Sequence, residues 1–109
     1  MLFIDAPLVF SADGKRLAYG VAKGDKWLVV VDGQASPEYD GIPEGSLVFS
    51  ADGKRLAYMA GKGSKGLVVV DGQAGPEYDG VACGPVFRRD GVLEYLAVDK
   101  DVLYRVTSQ

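Results

Sequence analysis

Three aspartates, Asp13, Asp52 and Asp90, each stand directly before a glycine, Gly14, Gly53 and Gly91. A circle of such carboxylates could hold calcium or another hard cation. The neighbours argue against it, because Lys15 and Arg16, and Lys54 and Arg55, would repel a cation. Asp-Gly is also a strong signal for a tight turn: Gly accepts positive φ, and Asp accepts nearby backbone N–H groups. We therefore read these six residues as structural turns. Glu38 with Asp40, and Glu77 with Asp79, could be taken for carboxylate pairs that cleave a glycosidic bond. They are copies of one another, however, and an acid–base pair needs two different environments. The chain has no histidine and one cysteine, Cys83. That removes Ser-His-Asp and Cys-His nucleophiles, an intrachain disulfide and the usual zinc ligand sets. The expectation is no catalytic residue, no metal, no cofactor and no enzyme, with Cys83 a small, half-buried loop residue.

Lysines offer the other chemistry. Lys23 and Lys26 bracket the loop in AKGDK, and Lys62 and Lys65 bracket its counterpart in GKGSK. These loops, with VDKD and the linkers IPEG and VACG, are expected on one face. Positive charge there could attract an acidic peptide or small anion. The plainer alternative is that solvated lysines keep the turns soluble. Trp27 has no counterpart, since Gly66 stands in its place, and reads as an edge residue covering a neighbour. Tyr19 with Tyr58, and Tyr39 with Tyr78, read as sheet packing.

The elements that position these residues follow from repetition. Residues 7–42 and 46–81 align without gaps at an offset of 39, and eight of the 36 positions differ. A shorter, diverged copy occupies 85–109. Within each unit LVFS, RLAY and LVVV read as strands, separated by Asp-Gly turns and a Gly-Lys loop. PEYDG reads as a short outer strand with Pro37 at its start, where no ladder donor is needed. Leu28–Val31 and Leu67–Val70 do not alternate with polar residues, so both faces of that strand must be covered. No segment shows helical periodicity.

At FSADGKRLAY and VVVDG the sequence resembles the bacterial WD-repeat-like, TolB-type β-propeller family. The resemblance covers nearly the whole chain from Pro7 onward. Ala12 and Ala51 stand where the family has Pro, and Arg88 and Arg89 replace Ser-Ala in the third copy. The resemblance implies an all-β fold of four-stranded blades, three per chain. It is nearly silent on function, since such propellers serve as scaffolds, binding surfaces and enzyme frames. The leading expectation is a non-enzymatic binding or scaffold module for a protein or peptide. The alternative is a small-ligand or carbohydrate binder at the central channel or the lysine-bearing face.

Unit three lacks an outer strand, and Ile4 precedes Phe10 by six residues as Val81 precedes Phe87. Residues 1–6 are therefore read as a closing strand that brings the count to twelve. Three blades do not close a ring, since propellers run from four to eight. A homodimer closing six blades is expected, with Met1, Leu2, Phe3, Ile4, Leu103, Tyr104 and Val106 at the interface. A larger ring, or a longer gene carrying further blades, would serve equally. The net charge of −3 argues against nucleic acid. No apolar stretch is long enough to span a bilayer. If Met1 is the native start, the cytoplasm is expected; otherwise the periplasm is open.

Overall fold

The computed structural model describes residues 2–43 and 45–108, the first six of them by backbone alone. Every element is a strand, and every pairing is antiparallel. β1 (Leu2–Phe10), β2 (Leu17–Lys23), β3 (Lys26–Val31) and β4 (Gln34–Ala35) form a first sheet in sequence order. β5 (Val48–Phe49), β6 (Leu56–Lys62), β7 (Lys65–Val70) and β8 (Gln73–Ala74) form a second. β9 (Gly80–Phe87), β10 (Leu93–Asp99) and β11 (Val102–Ser108) form a third, with three strands.

Turn chemistry sets the hairpins. Asp32 and Gly33 both take positive φ, 51° and 85°, the backbone of a two-residue turn matched to strand twist. Asp71-Gly72 repeats it at 52° and 81°, and Lys100-Asp101 does the same between β10 and β11 at 50° and 63°. The Asp32 side chain also accepts the Leu17 N–H at 3.1 Å, which ties the turn to β2.

The second sheet is the middle layer. Leu67, Val68 and Val69 are 1%, 1% and 0% exposed, so this non-alternating run is covered on both sides as expected, whereas its copy Leu28–Val31 has only Val29 buried, because it lies in an outer sheet. One cluster joins Ala18 and Val29 of sheet one to Leu56, Tyr58, Leu67 and Val69 of sheet two. Another joins Ala57 and Val68 of sheet two to Leu93, Tyr95 and Ala97 of sheet three. Tyr95 meets Tyr78 edge-on, with ring centroids 6.2 Å apart.

Three expectations are corrected. Residues 2–5 are not a separate closing strand, because they are the first part of β1 and pair with β2 of their own sheet, Leu2 against Lys23 and Ile4 against Val21. The described residues thus form eleven strands. Ile4 and Val81 are equivalent, as their spacing implied, but each lies on the first strand of its own sheet. The position fits the end of an outer strand and the start of the next inner one equally well in sequence; pairing decides between them. Met1 lies outside the described residues.

The outer strand is also displaced. It forms at Gln34–Ala35, breaks at Ser36-Pro37, and resumes only at Tyr39, which exchanges two bonds with Trp27 at 2.7 and 2.8 Å. Pro37 has no N–H to offer the ladder. The Ser36 hydroxyl fills part of the gap by accepting the Val29 N–H at 2.9 Å. Finally, VACG is not a loop. It lies within β9, with Cys83 opposite Leu96 and exposed, where Gly84 at φ 98° lets the strand shift register against β10.

Candidate functional site

Each unit begins with the same small network. The Ser11 hydroxyl donates to Asp13 at 2.6 Å, Asp13 accepts the Lys15 N–H at 3.0 Å, and Ser11 Oγ accepts the Arg16 N–H at 3.0 Å. Ser50, Asp52, Lys54 and Arg55 repeat it at 2.7, 3.0 and 3.1 Å. In unit three Asp90 accepts from the Val92 N–H and from Arg88. The hydroxyl, then the backbone N–H, hold the Asp13 and Asp52 carboxyls below their ordinary range. These carboxylates are committed to turns. Among the described residues, no three of His, Cys, Asp and Glu are placed to hold a metal.

The four lysines flank the β2–β3 and β6–β7 turns at one end of the sheets, two per sheet. They do not make that end positive. Lys23 pairs with Glu38 at 3.3 Å, Lys26 with Asp40, Lys62 with Glu77 at 3.7 Å and Lys65 with Asp79 at 2.6 Å. Asp40 also accepts the Gly63 N–H of the next sheet at 2.5 Å, and Asp79 accepts the Lys100 N–H at 2.8 Å. Lys26–Asp40 and Lys65–Asp79 are thus staples between neighbouring sheets. The sequence reading missed this because each partner lies fourteen residues away across a bend in the outer segment.

The staples respond to pH in a defined direction. The lysine hydrogen bond, and then the backbone N–H, lower the Asp40 and Asp79 carboxyls from 3.8; the hydrogen bond to the carboxylate, and then its charge, raise Lys26 and Lys65 from 10.5. A lowered carboxyl contributes fully above its unfolded value and loses that contribution as pH falls through the folded one. A raised lysine contributes fully below 10.5 and loses it as pH rises through the folded value. We expect a melting temperature that is flat near neutrality and falls once pH drops below 3.8. A D40N/D79N variant is expected to melt lower at neutral pH and to fall less steeply in acid. Equal acid slopes in the two proteins would remove the staples from the account.

The opposite end holds a residue the sequence reading passed over except as a cation repellent. Arg16 leaves β2, donates to Asp32 at 2.9 Å, and crosses to sheet two, where it donates to the Gly53 and Lys54 carbonyls at 2.8 and 3.1 Å. Its guanidinium carbon lies 5.2 Å from the Phe49 ring centroid. Arg55 repeats the motif with Asp71 at 3.0 Å and Phe87 at 5.7 Å. The recurrence of Arg and Phe at one offset was the available signal.

Beside Arg16, sheets one and two part to leave an open cleft of about 510 Å³. Val29, Val31, Leu56 and Tyr58 supply apolar wall; Arg16, Asp32, Gln34 and Lys54 supply polar rim. Burial raises the Tyr58 hydroxyl, with Ser36 partly opposing. A second cleft of about 470 Å³, between sheets two and three, uses the counterparts Arg55, Val70, Asp71, Gln73 and Ala74. Both exist because the outer strands have only two residues each. Trp27 lines a shallower hollow with Ile42 and Gly61 at the lysine end.

Of the expected interface residues, Leu103 is 59% exposed on the outward side of sheet three. Val106 instead packs into the cluster with sheet two, so it is not free to meet a partner. Tyr104 is 47% exposed and pairs with Ala97, on the side of the sheet that faces sheet two. Compared with family models, curated proteins and solved structures, the chain finds no match in any of the three.

Proposed function

We propose that the three sheets are consecutive blades of a TolB-type β-propeller and that the protein is a non-enzymatic binding module for a protein or peptide segment. The observation that carries this reading is the repeated cleft between neighbouring sheets at the Arg16 and Arg55 end. An open trough with apolar walls and a rim of mixed charge suits an extended peptide, which supplies side chains for the floor and backbone groups for the rim. The lysine end is a weaker candidate than its sequence implied, because carboxylates already neutralise it.

A random-peptide library selected on the immobilised protein tests this. Enriched peptides are expected to lose binding to a Q34E/K54E variant, since both side chains are exposed on the cleft rim. They are expected to keep binding to K23E/K62E, which leaves both staples in place. Loss on K23E/K62E alone would return the site to the lysine end. No enrichment, together with a thermal shift by a small sugar or metabolite, would favour the small-ligand alternative.

A further inference from the structure

One face of sheet one is a near copy of a face that is buried inside the protein. Sheet two receives sheet one on Leu47, Phe49, Leu56, Tyr58, Ala60, Leu67 and Val69. At the offset of 39, sheet one carries Leu8, Phe10, Leu17, Tyr19, Val21, Leu28 and Val30, identical except where Val21 stands for Ala60. Among the described residues no other sheet covers that copy: Val21 is buried, but Leu8 is 46% and Phe10 57% exposed, where Phe49 is packed beneath Arg16. The face is therefore built to receive the opposite side of another sheet. In the chain, those opposite sides are already used for sheets one and two. One is free, the outward side of sheet three, with Val86 and Leu103 51% and 59% exposed.

We propose that a second copy of this chain seats the outward side of its sheet three on the Phe10 face, and that the contact occurs twice about a two-fold axis. The proposal rests on the blade reading above but not on peptide capture. Two copies of these 109 residues give six blades, within the closed range of four to eight, whereas one copy gives three and three give nine.

The seam differs from the internal junctions in one informative way. Where sheets one and two present Ala18 with Val29, and Ala57 with Val68, sheet three presents Glu94 with Arg105. Arg105 donates to Glu94 Oε1 from both Nε and Nη2, at 3.0 and 2.8 Å. The pair is neutral as a unit, so the seam can close over it, but its desolvation makes this the weakest junction. Unit three also has Val92 alone between Gly91 and Leu93, where the other units have Lys-Arg, so no counterpart of Arg16 covers Phe10. The association is expected to be reversible and finite, not an open fibre.

Sedimentation or light scattering across the micromolar range tests the seam. The native sequence is expected to move from one to two chain masses as concentration rises. E94A/R105V, which copies the internal Ala and Val, is expected to tighten the dimer by about tenfold or more. Phe10→Lys, at an exposed position, is expected to abolish the dimer while leaving the melting transition of the monomer intact. A native chain that stays at one mass throughout, a Phe10→Lys variant that associates like the native chain, or growth into indefinite assemblies would each overturn it. The failure would be confined to the seam, because the peptide selection reads the cleft independently of mass.

Discussion

Leu67→Ala is expected to cost about 3 kcal/mol of unfolding free energy, and Leu28→Ala about 1 kcal/mol, although the two leucines hold identical places in copied strands. The difference is position in the stack. Leu67 is 1% exposed between sheets one and two, and truncation leaves a cavity that rigid sheets on either side cannot collapse. Leu28 is half-buried on the outer face of sheet one, where water can fill what the methyls vacate. Urea denaturation at low protein concentration measures both. Equal costs would mean that sheet two is not the middle layer. Under the proposed two-copy arrangement, the cost of Leu28→Ala is expected to rise with concentration, since Leu28 would gain the cover that Leu67 already has.

Arg16→Ala is expected to cost about 2–3 kcal/mol. The substitution removes two charge-assisted bonds to the Gly53 and Lys54 carbonyls, one to Asp32, and the contact with Phe49. Arg16→Lys is expected to recover less than half of that, because a single ammonium cannot span Asp32 on one sheet and two carbonyls on the next. Arg55→Ala is expected to cost less than Arg16→Ala, since Arg55 has the Asp71 bond and the Phe87 contact but not the paired carbonyls. A double-mutant cycle of Arg16→Ala with Phe49→Leu, read by thermal or urea unfolding, is expected to give a coupling of about 0.5–1 kcal/mol. Zero coupling would reduce the Arg–Phe stacking to mere proximity.

The second and third strands of each unit, and the hairpins that join them, were legible in the residues. Asp-Gly pairs, the Gly-Lys loops and the apolar runs act over two to five neighbours, and local hydrogen bonding and φ preference suffice to place them. A strand without alternation leaves no polar face for water, yet of the two copies only Leu67–Val69 is covered on both sides within the chain. What the tertiary structure alone decided involves partners far along the chain. Residues 2–5 could have belonged to an outer or an inner strand, and only pairing with β2 distinguishes them. The lysines looked free until Glu38, Asp40, Glu77 and Asp79 folded back onto them. Arg16 looked like part of a turn until it reached carbonyls 37 and 38 residues away. Leu28 and Leu67 share every local feature and differ only in whether another sheet lies on top. Sequence writes hairpins because their energetics are local; burial, charge neutralisation and the exposed Phe10 face depend on which sheet is the neighbour, and no local pattern encodes that.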